Sequence, residues 1–178
     1  MLLPVSPAEL KQQNLTAIYQ ALLQLMSRKP LAAISITELC QQAHVSRSYF
    51  YRHYQNFDQI ILAFQTQAII HYFRGLPASS RVDLTTLMTR YFELTRSTVV
   101  TYRLLIRNNK IDILLQTFQS AFQLLLKQDR IGAHSAKLTE PYYLEFFSGA
   151  VINMSISWVT HGLVESPTYL AQQVAKFV

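Results

Sequence analysis

The sequence predicts an all-α protein, and three observations support that prediction. Apolar residues recur at helical spacing along most of the 178 residues, with no strand-like alternation and no hairpin turn. Residues that cap helices stand before several of these runs. The chain has only four glycines, which argues against glycine-rich phosphate loops and against an all-β fold full of tight turns.

The first helix is marked at both ends. Ser6 and Glu9 have the spacing of a capping box, in which each side chain accepts a hydrogen bond from the other residue's backbone N–H. Pro30 cannot continue a helix and stops the apolar run that follows the cap. We therefore expect a helix over residues 7–28.

Two short helices follow with almost no linker between them. Ser35 and Glu38 again have capping-box spacing, and the helix that they open has to end near His44. Ser46 supplies the next cap, so a second short helix begins directly after the turn. Residues 35–57 therefore form a helix-turn-helix pattern, in which the second helix fits the major groove of duplex DNA.

Helical patterns continue to the end of the chain. Asn56 with Gln59 marks the start of a fourth helix that runs to about Arg74. The stretches 75–80 and 132–137 are breaks, because they collect glycine, proline, serine and other polar residues. The remaining helices are expected over about 81–97, 102–108, 110–130, 140–162 (opened by Pro141) and from Pro167 to the end.

The outer face of the second short helix carries the candidate DNA contacts. Phe50 and Tyr54 would anchor this helix to the core, and the other side chains would point outward. Arg47 has a fork that bridges guanine acceptors, whereas Tyr51 and His53 suit phosphate. With the start of the preceding helix included, the predicted contacts are Ser35, Thr37, Ser46, Arg47, Ser48, Tyr49, Tyr51, Arg52 and His53. The alternative is a solvated helix face.

Residues 10–65 resemble the DNA-binding domain of the TetR family of bacterial transcriptional regulators. The matching residues are Ser35-Ile36-Thr37-Glu38-Leu39-Cys40, Ala43-His44-Val45-Ser46, Phe50-Tyr51-Arg52-His53-Tyr54 and Asp58. The stretch from Phe146 to Pro167 is similar to one C-terminal variant of the family. The resemblance implies a three-helix DNA-binding domain at 1–56, followed by a helical ligand-binding and dimerisation domain at 57–178.

The chain departs from the family pattern at three places. His44 replaces the turn glycine, at a left-handed position that costs a non-glycine residue on the order of 1 kcal/mol. Ser48 and Tyr49 are bulkier than the glycine or threonine that is common there. Phe57 stands where the family has a lysine that contacts phosphate, so one electrostatic anchor is missing.

The C-terminal half carries the predictions for the dimer and the effector. The helix over 140–162 is apolar nearly all round, and Gly149, Asn153 and Ser157 form a small polar stripe that we expect at a homodimer interface. The alternative is an internal core helix. An unknown small-molecule effector would lie among Arg103, Phe118, Phe122, Tyr143, Phe147, Asn153, Trp158 and His161. The arginines between 90 and 107 are expected on a solvated surface, with a cationic pocket as the alternative.

Charge and residue types limit the possible functions. The net charge of +6 divides into +2 for residues 1–60, +5 for 74–130 and −1 from 131 on, so a DNA-binding function depends on the motif and not on bulk charge. Cys40 alone makes no internal disulfide and is expected to pack in the core. No catalytic, phosphate-loop or metal motif is visible, so we expect no enzyme, cofactor or metal site.

These observations together predict a homodimeric regulator, most simply a repressor, that binds a palindromic operator in double-stranded DNA and responds to the effector. Two alternatives are a protein-interaction module or co-regulator on the same scaffold and, with less support, an all-α enzyme. Because the sequence has no signal peptide and no apolar stretch of about 18 residues, we expect a cytoplasmic protein that contacts no membrane.

Overall fold

A computed structural model describes residues 6–74, 81–131 and 140–177, and the fold is all-α, as predicted. The predicted breaks at 75–80 and 132–137 lie outside the described residues. The helices are α1 (Pro7–Arg28), α2 (Ile36–Gln42), α3 (Arg47–His53), α4 (Phe57–Arg74), α5 (Leu84–Ser97), α6 (Val99–Arg107), α7 (Ile111–Lys127), α8 (Tyr143–Thr160) and α9 (Pro167–Lys176). None of the helices in these ranges is both long and apolar enough to span a bilayer.

Capping explains where the first helices begin. The Ser6–Glu9 capping box is complete: the Glu9 N–H donates to the Ser6 hydroxyl at 3.2 Å, and the Ser6 N–H donates to the Glu9 carboxylate at 2.8 Å. At α2 the predicted box is only half formed. Ser35 accepts from the Glu38 N–H at 3.1 Å, but the Glu38 carboxylate forms an ion pair with Lys29, because that ammonium group is within reach.

Two further helix starts test the sequence analysis. Asn56 caps α4 as predicted, since its side-chain oxygen accepts from the Gln59 N–H at 3.0 Å. The prediction that Pro141 opens the next long helix is wrong, because α8 begins at Tyr143. Tyr142, the residue before α8, has a left-handed φ of 65°. A residue in this conformation cannot be part of an α-helix, so Pro141 lies outside α8.

Packing divides the chain inside α4, between Ala68 and Ile69, whereas the sequence analysis placed the boundary after Asn56. The first part of α4 belongs to the N-terminal unit because it packs on α1. The Phe64 ring stacks on Tyr19 with 3.9 Å between centroids, and the Gln65 side chain donates to the Tyr19 hydroxyl at 2.7 Å.

Each unit has its own apolar core. In the N-terminal unit the large, fully buried side chains come from four helices and are Ile18, Leu22, Met26, Leu39, Phe50, Ile60 and Ile61. In the C-terminal unit they centre on Phe92, Leu105, Phe122 and Phe147. The C-terminal unit also contains an isolated parallel bridge between Val82 and Ile131, which ties the segment before α5 to the segment after α7. No strand signal in the sequence predicted this bridge.

Candidate functional site

The turn between α2 and α3 is tight and fully hydrogen bonded. His44 has a φ of 54°, which confirms the left-handed backbone expected at this position. The Val45 N–H donates to the Cys40 carbonyl at 3.0 Å and closes the end of α2. The Ser46 hydroxyl then accepts from the Tyr49 N–H at 3.0 Å and caps α3. Local backbone and capping bonds therefore fix the direction in which α3 leaves the turn.

Buried side chains hold the two short helices together. Phe50 is fully buried and Tyr54 nearly so, while Leu39, Cys40 and Ala43 are buried on the α2 side. Burial raises the pKa of the Cys40 thiol, although nearby Arg47 acts in the opposite direction. The thiol therefore stays neutral and packs as a small apolar group.

The outer face of α3 is a surface of hydrogen-bond donors. Arg47, Ser48, Tyr51, Arg52 and His53 are all exposed, and the Tyr51 side chain is 56% accessible. Hydroxyl, guanidinium and imidazole groups on one short helix can donate to phosphate oxygens and to base acceptors in a groove. These five residues thus lie where the sequence analysis expects DNA contacts.

Tyr49 differs from this set, and its predicted outward orientation is wrong. Its side chain is half-buried, and its hydroxyl is shielded from solvent without a hydrogen-bond partner in the described residues. The reason is its position on the flank of α3, one residue before the buried Phe50. From there its long ring extends back against the protein.

The start of α2 supplies a second group of predicted contacts. Ser35 and Thr37 are both exposed beside the first backbone N–H groups of α2. The Ser35 hydroxyl is already engaged as the cap of this helix. Thr37 therefore offers the hydroxyl with more freedom to reach a phosphate at this helix start.

Phe57 shows what replaces the lysine of the TetR pattern. Its side chain is half-buried, and its ring meets Phe50 edge to face with 6.3 Å between centroids. Phe57 therefore extends the apolar contacts of the helix-turn-helix toward α4. A phosphate contact at this position is replaced by packing.

The long helix α8 has two distinct faces. One face is core and includes Phe147, Val151 and Trp158. The opposite face is accessible to solvent and has no Lys or Arg, and the exposed Glu145 lies at its edge, one turn before Gly149. It consists of Tyr142, just before the helix, with Phe146, Gly149, Ala150, Asn153, Ser157, Thr160 and His161. The stripe predicted from Gly149, Asn153 and Ser157 lies at the centre of this face, which we call the α8 outer face.

The C-terminal unit contains a small apolar cavity of about 10 Å³. A cavity of this size holds about one water molecule, whereas pockets for small ligands measure roughly 300–1,000 Å³. This cavity is therefore smaller than the pocket that the sequence analysis expects. The lining residues are Ile69, Leu87, Met88, Tyr91, Leu94, Phe118, Ala121, Phe122 and Leu125.

Only Phe118 and Phe122 of the eight predicted effector residues line this cavity. Arg103, Asn153 and His161 are exposed and do not line this cavity, and their role toward a ligand stays a prediction.

The other three predicted pocket residues are used for packing. Tyr143 and Phe147 stack on each other along α8 with 5.6 Å between centroids. The Trp158 ring lies under the Arg96 guanidinium at 5.2 Å, and its indole N–H donates to the Glu165 carbonyl at 3.2 Å. These contacts explain why none of the three lines the cavity.

The arginines of this region lie on the surface, as the sequence analysis expected. Arg90, Arg96, Arg103 and Arg107 are all exposed. Arg96 also donates to the carbonyl oxygens of Leu163 and Glu165 and so fastens the segment after α8. No cationic pocket forms from these four residues in the described part of the chain.

Sequence reasoning missed a buried hydroxyl network beside the cavity. The Tyr91 hydroxyl is 2.6 Å from the Tyr102 hydroxyl and 3.0 Å from that of Ser155. Burial raises the pKa of both tyrosines, most strongly for Tyr102, so the network stays neutral. It joins the consecutive helices α5 and α6 to the distant α8, and no local spacing signals it. The aliphatic lining could have been found, because Leu87, Tyr91 and Leu94 recur at helical spacing.

Comparison with known proteins gives one family match and several similar structures. A model of a TetR-type family, described as a transcriptional regulator C-terminal region, matches residues 83–178. No curated protein matches the sequence at a significant level.

The similar solved structures cover nearly the whole chain. Lin0861 from Listeria innocua has a TM-score of 0.78 at 16% identity, over 99% of this chain and 96% of its own. The dihydroxyacetone kinase operon activator DhaS has a TM-score of 0.60 at 14% identity, over 92% and 93%. The transcriptional regulator FadR from Bacillus subtilis, solved in complex with stearoyl-CoA, has a TM-score of 0.50 at 11% identity, over 90% and 95%. At these identities the likeness shows a shared fold.

Proposed function

The chain belongs to the TetR family of transcriptional regulators, and on that basis we propose that it binds duplex DNA as a homodimer through the outer face of α3. The observation that carries the proposal is the set of exposed donors on a capped, core-anchored helix. Arg47 would read a base, because its guanidinium can bridge the two acceptors of guanine. Tyr51 and His53 would bind phosphate and set the orientation of α3 in the groove.

The α8 outer face supports the homodimer. Gly149 lies in the helix interior, where glycine costs about 0.5–1 kcal/mol relative to alanine. A Cβ added at Gly149 would meet no atom of the described residues within 4 Å, so nothing in that part of the chain requires a glycine there. Close approach of a second helix would require it. Phe146, 66% exposed, would then be covered by the partner copy.

The proposal includes control by an apolar effector that binds in the C-terminal unit. The cavity beside Phe118 and Phe122 is lined by apolar side chains, and Ile69 adds a residue of α4, the helix that also contributes to the N-terminal unit. An apolar ligand would have to widen this cavity to bind. Such widening would displace α4 and change the spacing of the two recognition helices, which is the repressor mechanism we propose.

Selection of bound duplexes from a random pool tests the DNA-binding function directly. We expect the enriched sequences to share a palindrome whose half-sites are one helical turn apart, about 34–36 Å, because a two-fold dimer presents two α3 helices. Enrichment of no sequence, together with retardation of no duplex at low salt, would contradict the proposal.

A protein-interaction module is the second candidate, and one observation favours it. Phe57 packs on Phe50 at the position of the family's phosphate-binding lysine, so the chain has one cationic contact fewer. The two candidates differ in a simple measurement, because only a DNA-binding protein shows an affinity for duplexes that falls with salt.

A further inference from the structure

Tyr49 has an unusual environment on the recognition helix. Its hydroxyl oxygen is buried, and no described residue forms a hydrogen bond with it. The pKa of Tyr54 is raised, chiefly by burial and then by the neighbouring Tyr49. A hydroxyl in this position is turned away from the surface that faces DNA.

The buried hydroxyl itself does not stabilise the fold. A polar group that loses water without gaining a partner is destabilising by about 1–3 kcal/mol. Phenylalanine would fit the same ring position without that cost. The reason for an aromatic residue here must therefore be sought in the ring and not in the hydroxyl.

The ring of Tyr49 contacts one exposed residue, His53. Their ring centroids are 4.3 Å apart with a tilt of 41°, across one turn of α3. An exposed imidazole in the last turn of a short helix would otherwise change rotamers freely. A neighbouring aromatic ring four residues earlier restricts those rotamers, because such pairs attract beyond their apolar contact area.

We propose that Tyr49 is a positioning residue of the DNA-binding surface: its ring holds the His53 imidazole in the orientation used for a phosphate contact, and its hydroxyl touches no DNA. The inference rests on the proposed function of α3. It assigns to Tyr49 a role that differs from the direct contact expected from the sequence. The Tyr49 ring orients the His53 imidazole before DNA binds. Removal of the ring should therefore lower DNA affinity only through its effect on His53.

Four variants separate the ring from the hydroxyl. Tyr49→Phe keeps the ring, Tyr49→Leu removes it but keeps an apolar side chain, His53→Ala removes the imidazole, and the double variant Tyr49→Leu/His53→Ala removes both. Affinity for the duplex selected from the random pool is measured by fluorescence anisotropy. Thermal unfolding of each variant is measured in parallel.

We expect Tyr49→Phe to bind within twofold of the wild type and to be at least as stable. Tyr49→Leu should lose about three- to tenfold in affinity, and the same change in the His53→Ala background should have no further effect. A loss above fivefold for Tyr49→Phe would show that the hydroxyl contacts DNA and would overturn the proposal. Equal losses from Tyr49→Leu in both backgrounds would overturn it as well.

A second measurement does not depend on DNA. In the free protein, the NMR signals of the His53 imidazole should shift in Tyr49→Leu, because the ring current of Tyr49 is lost, and should remain nearly unchanged in Tyr49→Phe. Unchanged signals in both variants would show that the rings are not in contact and would contradict the inference. If the imidazole shifts as expected but the wild type binds no duplex, the proposed function fails while the ring contact stands.

Discussion

Two exposed helix faces, the outer face of α3 and the α8 outer face, differ in their chemistry. The α3 face carries Arg47 and Arg52, together with tyrosine, serine and histidine. The α8 outer face has no Lys or Arg, and its one acidic neighbour on the helix, Glu145, lies at its edge. Its exposed aromatic residues are Tyr142, 82% accessible, and Phe146.

This difference indicates which kind of partner each face suits. Phosphate attracts cationic and hydroxyl donors, which remain hydrated until DNA binds. A protein partner of the same sequence requires a face that can be desolvated at low cost, and aromatic and small residues meet that requirement. The net charge of the whole chain, +6, does not distinguish the two faces, whereas the position of each charge does.

The largest effect is expected from a cation placed at the centre of the α8 outer face. Gly149→Arg should give monomers that lose operator binding by 1,000-fold or more, because two-fold symmetry would bring two bulky cationic side chains together. A Cβ at this position meets no atom of the described residues within 4 Å, so we expect the fold to be kept. Sedimentation velocity and circular dichroism measure assembly and helicity.

The matched control is Gly149→Ala, which adds a single methyl group. It should raise the intrinsic stability of α8 and retain more of the dimer than the arginine variant. A wild type that sediments as a monomer at micromolar concentration would show that the α8 outer face has another use.

Salt concentration should affect DNA binding by the α3 face much more than dimerisation through the α8 outer face. If about six phosphates are contacted by two α3 helices, raising salt from 50 to 200 mM lowers DNA affinity by about 10³-fold. The dimer dissociation constant should change by less than about threefold over the same range, because the α8 outer face has few charges to screen. Anisotropy and sedimentation equilibrium in one buffer series measure both quantities. A dimer as sensitive to salt as the DNA complex would remove the distinction.

Single contacts on the α3 face should have intermediate effects. Arg47→Ala is expected to cost about 1–3 kcal/mol of operator binding and to relax one position of the selected sequence. Tyr51→Phe should weaken operator and random duplexes alike, because a phosphate contact carries no sequence information. Equal losses for Arg47→Ala on both kinds of duplex would show that Arg47 binds phosphate instead.

The α3 region was predictable from sequence because its signals are local. Ser46 and Phe50 lie within one turn of each other, and capping and burial at such spacing follow from short-range rules. The bounds of α1 and α4 were predicted correctly for the same reason.

The C-terminal unit was less predictable because its site depends on contacts between distant helices. The bond between Tyr91 and Ser155 joins residues 64 positions apart. Whether Arg103 or Phe118 faces the interior depends on how three helices pack, and residue type alone does not decide it. The prediction for Tyr49 was wrong for a different reason. Its helix was predicted correctly, but the direction of its long side chain on the flank of α3 was not.

The smallest predicted effect concerns the backbone beside each face. His44, before the cap of α3, and Tyr142, before α8, both have left-handed φ values, 54° and 65°. Glycine at either position relieves strain of about 1–2 kcal/mol, but its larger entropy in the unfolded chain offsets about 0.5–1 kcal/mol of that gain.

We therefore expect His44→Gly and Tyr142→Gly each to raise the free energy of unfolding by about 0.5 kcal/mol. Urea unfolding in the monomeric Gly149→Arg background measures this without a contribution from dissociation. In the otherwise wild-type chain the two variants should differ, because only Tyr142→Gly removes an exposed ring from the proposed dimer face. Tyr142→Gly should weaken the dimer, and His44→Gly should leave it unchanged. A dimer that tolerates both substitutions equally would place Tyr142 outside the interface and confine that interface to the centre of α8.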